Sequence, residues 1–355
     1  MAEEPVRIAS VGLGRWARVL ARGTRRSPAI DLVGGFSRDA ERRRAFQEEL
    51  GLARTWSSYE ELLADPEVEG VVITTPNATH RALVEQALEA GKGVFVDKPI
   101  AGTLADACAI WRAAEATGRV VAVGHSARRL SGHRIQRRWL EDGRLGEPAL
   151  VAATFTNERA LELDESTWRS RPEQSPGGGL VQLGVHHFDT LAYLLGPIAA
   201  VSALVRRVHS RGDVPDLASV SLEFASGVLG SVATGWSSPG SYRVDLHGTK
   251  ENLHYRLEFT AWDDSHRTEE HCALESQAYR SHERLPVELP GSDMFREELE
   301  EFALALRGEA RVEVGPAEAT QALAVVFAAL ASSERGGALV PLAEVLEETG
   351  AGVPA

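Results

Sequence analysis

The chain has 355 residues, 43% of them hydrophobic and 25% charged, a composition typical of a globular protein of about two domains. Its formal net charge of −13 argues against binding to nucleic acid or to an anionic membrane surface. The sequence has no apolar run long enough to span a membrane, no signal-peptide pattern and only two cysteines, so we expect a cytoplasmic protein without disulfide bonds.

The first predicted strand leads directly into a glycine turn. Gly12, Gly14 and Ala17 follow it at the spacing Gly-x-Gly-x-x-Ala. Gly12 permits a tight turn, and Gly14 lets a pyrophosphate approach the backbone closely. The helix that begins near Arg15 and Trp16 offers free N–H groups to the phosphates. At the start of a βαβ unit, this pattern predicts a dinucleotide-binding fold.

The end of the second predicted strand, at residues 30–36, is the place where such folds select their cofactor. An acidic residue there binds the ribose 2′-OH of NAD, whereas an arginine accommodates the 2′-phosphate of NADP. Ser37 and Arg38 hold this position and Asp39 comes later, so NADP is favoured over NAD. The alternative is that Asp39 simply starts a helix whose arginines lie in solvent.

Strands and helices alternate as far as residue 125, which predicts a Rossmann domain with a doubly wound parallel sheet over residues 1–125. Ligands bind outside the carboxyl ends of the strands in such sheets. The polar residues at these ends are therefore further candidates for the cofactor site: Thr75, Pro76, Asn77, His80, Asp97 and Lys98.

At Asp97-Lys98-Pro99 the sequence resembles the glucose-fructose oxidoreductase/inositol dehydrogenase/MocA family, which usually has Glu-Lys-Pro. The glycine turn, the segment Thr-Pro-Asn-x-x-His at residues 75–80 and the Gly-Gly-Gly to His-x-x-Asp segment at residues 177–189 share this resemblance, which covers nearly the whole chain. It implies a Rossmann domain followed by a domain with a large, mostly antiparallel sheet. It also implies oxidation of a hydroxyl on a sugar or cyclitol, or reduction of the corresponding ketone, with NAD(P).

Residues 126–355 are predicted to form this second, α+β domain. Successive strands separated by turn signals indicate an open antiparallel sheet. One face should pack on helices, and the other is available to a second subunit. We therefore expect a homodimer or homotetramer formed through this sheet. The predicted strands lie at residues 149–156, 200–208, 217–224, 228–236, 241–248 and 252–257.

The candidate substrate residues lie in the second domain. Gln182 and His186 are four residues apart in a predicted helix, so they share one face. The resemblance implies that His186 is the catalytic histidine and that Gln182 replaces an aspartate, although an amide cannot titrate. Arg128 holds either a substrate group or a domain interface. Trp168 and Arg169 either contact the substrate or anchor their loop.

For the chemistry, we expect His186 to act as acid/base and Lys98 to donate a hydrogen bond to the reacting oxygen, with the reverse division open. Two alternatives remain: a dehydrogenase of a carboxylated cyclic diol, of the dihydrodiol or hydroxyphthalate type, and a dinucleotide-binding sensor without catalysis. No metal site is expected, because the histidines and the cysteine at residues 266–282 lack a zinc spacing.

Overall fold

The computed structural model describes residues 4–164, 166–258 and 263–348. The chain forms two compact units. The first contains the residues up to Ser126 together with Phe295–Thr320, and the second contains Ala127–Met294 and the residues from Gln321 onward. The predicted boundary treats each domain as one continuous segment, whereas in the structure residues 295–320 return to the first unit.

The first unit is built on a six-stranded parallel sheet in the order β3-β2-β1-β4-β5-β6. The order reverses at β1, which is the topological switch point of a Rossmann fold, and this confirms the predicted fold class. Its strands are β1 (Val6–Val11), β2 (Ile30–Phe36), β3 (Arg54–Thr55), β4 (Gly70–Ile73), β5 (Gly93–Asp97) and β6 (Val121–Gly124). Its helices are α1 (Arg15–Thr24), α2 (Ala40–Leu50), α3 (Tyr59–Ala64), α4 (His80–Glu89) and α5 (Leu104–Thr117).

Helix α8 (Met294–Leu306) explains why a distant segment belongs to the first unit. Phe302 packs against Phe95 of β5, with ring centroids 6.0 Å apart. A Cβ at Gly93 would lie 2.1 Å from Leu306, so the strand has room for this helix only because residue 93 has no side chain. The position of α8 over the sheet therefore depends on a packing contact between Gly93 and Leu306, which are about two hundred positions apart.

The second unit contains a nine-stranded sheet in the order β14-β13-β12-β11-β7-β10-β9-β8-β15. All neighbouring strands are antiparallel except β7 and β10, which are parallel, so the predicted, mostly antiparallel sheet is confirmed. The strands are β7 (Pro148–Thr156), β8 (Ile198–Arg206), β9 (Leu217–Phe224), β10 (Leu229–Gly235), β11 (Ser241–Gly248), β12 (Glu251–Leu257), β13 (Cys272–Ala278), β14 (Leu285–Val287) and β15 (Val340–Pro341).

Side chains alternate between buried and exposed along β9 and β10, so one face of this sheet forms a core and the other is bare.

The helices of the second half are α6 (Ser131–Glu141), α7 (Val185–Leu195), α9 (Pro316–Glu334) and α10 (Leu342–Glu348). Helix α10 buries Leu342 and Val345, so the chain is packed as far as residue 348, where the described residues end. Within the described ranges, no helix is both long and apolar enough to cross a membrane.

Candidate functional site

The glycine turn of the first unit has the geometry of a phosphate cradle. Gly12 has φ +88°, and a Cβ there would lie 2.7 Å from Thr75 Cγ2, so only glycine fits. A Cβ at Gly14 would meet no atom within 4 Å, which leaves open space in front of the turn. Gly14 is the N-cap of α1 and supplies no side-chain cap. No side chain at the N-cap competes with a ligand for the first N–H groups of α1, at Arg15 and Trp16, which suits an anion.

Arg18 is hydrogen-bonded to the backbone of this turn, a contact that we did not predict. Its Nη1 donates to the carbonyl oxygens of Leu13 (2.8 Å) and Gly14 (3.2 Å), while its Nε donates to Glu49 (2.6 Å). The available signal was the spacing, because an arginine one turn after the glycines can fold back onto the carbonyls of the turn.

At the end of β2, Asp39 is occupied by its own helix. Its carboxylate caps α2 by accepting from the N–H groups of Glu41 (2.9 Å) and Arg42 (3.1 Å). Arg42 Nε also lies 3.4 Å from the same carboxylate. Asp39 therefore starts a helix, as the alternative interpretation held, while Arg38 is exposed and Ser37 half-buried.

The loop after β4 is tied to the glycine turn, because Thr74 Oγ1 donates to the carbonyl of Gly12 (2.7 Å). Thr75 and Pro76 in this loop are half-buried. The side chain of Asn77 is buried, and among the described residues its Nδ2 has no hydrogen-bond partner. A buried amide donor without a protein acceptor fits a site that a polar ligand completes.

His80 and Lys98 lie at the neighbouring strand ends. The His80 ring is 1% exposed, and both of its nitrogens face backbone carbonyls, so the ring contacts the protein rather than solvent. Burial lowers the pKa of His80. Asp97 ends β5, and Lys98 follows it, half-buried, with a cis peptide bond to Pro99.

In the second unit, the segment with Gln182 differs from the predicted regular helix. Leu180–Gly184 forms a π-helical turn, and α7 begins only at Val185. Residues four apart share one face only in an α-helix, and this period does not hold across the junction between Gln182 and His186. His186 is buried, and its ring lies against Phe155 with centroids 5.8 Å apart.

Three of the predicted substrate residues are brought together. Gln182 Oε1 accepts from Arg169 Nε (3.3 Å), and its Nε2 donates to Ser175 Oγ (3.3 Å). The Arg169 guanidinium lies over the Trp168 ring, 4.2 Å from its centroid. Ser175 is fully buried and was not predicted, since a serine in a long loop carries no signal. The amide of Gln182 thus has a fixed orientation.

Arg128 is placed differently from the expected substrate contact. Its Nε and Nη2 each donate to Asp189 at 2.6 Å, and both side chains are buried. Tyr193 lies beside the pair, 5.4 Å from the guanidinium carbon. A bidentate pair of this kind uses the edge of the guanidinium that would bind a substrate carboxylate. The geometry assigns Arg128 to an ion pair within the second unit.

The histidines and the cysteine at residues 266–282 do not assemble. In the part of the chain that the structure describes, no group of three histidine, cysteine or acidic side chains is placed to hold a metal ion.

Comparison with known proteins places both units in one family. Residues 6–125 match the oxidoreductase family with an NAD-binding Rossmann fold, and residues 133–254 match the GFO/IDH/MocA C-terminal domain.

Two characterised relatives cover most of the chain. A 1,5-anhydro-D-fructose reductase of Ensifer adhaerens is 31% identical over 68% of this chain and 73% of its own length. The scyllo-inositol 2-dehydrogenase (NAD(+)) of Bacillus subtilis is 30% identical over 71% of this chain and 74% of its own length.

Among solved structures, one from Desulfitobacterium hafniense, assigned as an NADPH-dependent oxidoreductase, superposes with a TM-score of 0.93. It is 36% identical and covers 97% of this chain and 99% of its own.

Proposed function

Because the chain belongs to the Gfo/Idh/MocA family of NAD(P)-dependent oxidoreductases, we propose that it transfers a hydride between a nicotinamide cofactor and a secondary hydroxyl or ketone of a sugar, cyclitol or related cyclic polyol. The observation that carries the proposal is the open, uncapped N-terminus of α1 behind Gly14, in the same unit as the half-buried Lys98. The names of the relatives support the substrate class: one reduces an anhydro sugar and the other oxidises an inositol.

The residues present fit a dinucleotide. The turn at Gly12 and Gly14 would hold the pyrophosphate, and the loop with Thr75, Pro76 and Asn77 would hold the part of the cofactor nearer the nicotinamide. The buried Nδ2 of Asn77 supports this assignment, because a ligand acceptor would satisfy it. When bound, the nicotinamide ring accepts or returns the hydride.

We propose NADP as the preferred cofactor. Asp39 is occupied as the cap of α2, which leaves Ser37 and the exposed Arg38 for the group on the ribose 2′ position. The positive charge of an arginine there complements the negative charge of a 2′-phosphate. The relatives divide on this point, since one is named for NAD(+) and another is assigned to NADPH.

The proton chemistry falls to two side chains. His186 takes the hydroxyl proton during oxidation and returns it during reduction, since an imidazole titrates near neutral pH. Lys98 donates a hydrogen bond to the reacting oxygen and stabilises negative charge that develops there. Gln182 cannot exchange a proton. Its amide is hydrogen-bonded to Arg169 and Ser175, and an amide can both donate to and accept from substrate hydroxyls.

We further propose that the bare face of the second sheet pairs with another copy of the chain, as a homodimer or homotetramer. Large apolar side chains are about half exposed on the strands β7, β8 and β10: Leu150 (45%), Leu204 (50%) and Leu229 (56%). Small residues such as Ser219 and Ala233 flatten the surface between them. Light scattering coupled to size-exclusion chromatography tests this, and a monomer at micromolar concentration contradicts it.

A cytoplasmic location is also proposed, because both cysteines, Cys108 and Cys272, are free thiols.

The reaction is tested with a panel of neutral sugars, inositols and anhydro sugars and their ketones, offered with both oxidised and both reduced cofactors. Absorbance of the reduced nicotinamide reports turnover. Turnover of a neutral polyol or keto sugar supports the proposal. Activity confined to carboxylated cyclic diols, or no turnover with any compound although the cofactor binds, contradicts it.

A further inference from the structure

His80 connects two loops of the first unit through one buried ring. Its Nε2 lies 2.9 Å from the carbonyl oxygen of Thr75, in the loop after β4. Its Nδ1 lies 3.1 Å from the carbonyl oxygen of Pro99 and 3.3 Å from that of Ile100, in the loop after β5. The ring is 1% exposed, so no water competes for these contacts.

The two loops carry different parts of the proposed chemistry. Thr75 follows Thr74, which is hydrogen-bonded to the glycine turn, so this loop is fixed to the proposed cofactor cradle. Pro99 follows Lys98, the proposed donor to the reacting oxygen. The His80 ring is therefore a direct link between the loop that would hold the cofactor and the loop that presents the lysine.

The chemistry of the ring suits this task. A side chain that contacted the cofactor would keep at least one ring nitrogen available to it, yet both nitrogens of His80 face backbone oxygens. A rigid five-membered ring also spans the two loops without the rotamer freedom of a longer side chain. The neutral ring has one N–H, so one nitrogen donates to a carbonyl oxygen while the other only contacts the second carbonyl, and burial excludes water from both contacts.

We propose that His80 is a positioning residue, which sets the place of Lys98 relative to the cofactor by bridging the loops after β4 and β5. This inference rests on the proposed function. It assigns His80 a role in the chemical step in place of the cofactor contact expected from its strand-end position.

Two conservative variants test separately the contacts of the His80 ring with the loops after β4 and β5. In His80→Asn the amide lies where Nδ1 was and keeps a contact with Pro99, whereas in His80→Gln it lies where Nε2 was and keeps a contact with Thr75. Each variant breaks one half of the link. We expect kcat to fall about 100-fold in both, the scale of a reacting group displaced by about 1 Å, while NADPH affinity stays within about threefold.

A matched control lies at the amino ends of the strands of the same sheet, opposite to His80. Lys92, just before β5, donates from Nζ to the carbonyl oxygens of Asp65 (2.8 Å) and Val68 (2.7 Å). Like His80, it is a buried side chain that bridges loop carbonyls, but at the amino ends of the strands. Lys92→Met should lower stability and leave the kcat of the folded protein unchanged.

The decisive readout is a double-mutant cycle on single-turnover hydride transfer. If His80 acts through Lys98, then His80→Asn reduces the rate about 100-fold in the wild-type background and less than about threefold when Lys98 is already alanine. Equal losses in the two backgrounds overturn the inference, as does wild-type kcat in both His80 variants. A wild-type protein that binds NADPH but reduces no ketone refutes the proposed function instead.

Discussion

Lowering the pH from about 7.5 to about 5 should remove about 4 kcal/mol of folding free energy through two buried histidines. His133 is fully buried, with Nδ1 2.7 Å from Gln136 Oε1 and Nε2 2.8 Å from the Tyr242 hydroxyl. Gln136 Nε2 donates to the carbonyl of Val244, so its oxygen faces the histidine, and the neutral ring donates from Nδ1 and accepts at Nε2. His187 is also fully buried, with its ring 4.6 Å from that of Tyr242.

Burial lowers the pKa of His133 to about 3 and that of His187 to about 4. In the unfolded chain both titrate near about 6.5. Stability from these groups is therefore fully present above about pH 6.5 and falls as the unfolded chain takes up protons that the folded chain rejects. Each pH unit below about 6.5 costs about 1.4 kcal/mol per histidine, or about 2 kcal/mol each at about pH 5. At about pH 5 both rings are still neutral in the folded state, so this figure depends little on their folded pKa values.

The assay is urea unfolding at both pH values and at fixed protein concentration, for the wild type and for His187→Phe. Phenylalanine keeps an aromatic ring between Phe155 and Tyr242 and does not titrate. Carboxylates contribute equally to both proteins and cancel in the comparison. The variant should lose about 2 kcal/mol less than the wild type between the two pH values. Equal losses refute the reasoning, because they mean that His187 gains its proton in the folded state.

Three further predictions concern the proposed cofactor site. Lys98→Met should lower turnover about 10²- to 10³-fold, the scale of a lost donor to developing negative charge, while NADPH still quenches protein fluorescence with near wild-type affinity. Loss of turnover and of NADPH binding together with the fold would show that Lys98 is structural. Arg18→Ala should weaken NADPH binding about tenfold in a fluorescence titration, because two hydrogen bonds to the turn are lost, whereas the exposed Arg22→Ala on the same helix should not. Arg38→Ala should reduce the preference for NADPH over NADH by about 10-fold or more in the ratio of dissociation constants, and an unchanged ratio contradicts its assignment to the 2′-phosphate.

Interactions between residues close in sequence made much of the first unit predictable. A serine three residues before a glutamate is the pattern of a capping box, and Ser58 Oγ accepts from the N–H of Glu61 (3.0 Å) at the start of α3. Gly12 forms the tight turn that its lack of a side chain indicated. Such features depend on neighbours within a few residues, so a sequence pattern contains all their partners.

Contacts between distant residues could not be predicted in this way. The pairing of Arg128 with Asp189 joins residues 61 positions apart, and the packing of Leu306 over Gly93 joins residues still further apart. The π-helical turn before His186 also escaped prediction, because a one-residue change in helical period leaves no mark in the hydrophobic pattern.

The two alternative functions lose support for different reasons. A carboxylated diol substrate needs a cationic partner, but the guanidinium of Arg128 pairs with Asp189, and that of Arg169 contacts Gln182 and the Trp168 ring. A sensor without catalysis was suggested only by Gln182 in place of an aspartate. The relatives are named as enzymes of sugars and cyclitols, which does not favour a sensor.

The most direct test of the central claim is titration of the purified protein with NADPH and with NADH, followed by nicotinamide fluorescence. The account predicts saturable binding of both nucleotides at one site, with NADPH bound more tightly. A preference for NADH would contradict the assignment of Ser37 and Arg38 while leaving the dinucleotide site in place. Absence of binding by either nucleotide would contradict the dinucleotide site itself, and with it the proposed hydride transfer.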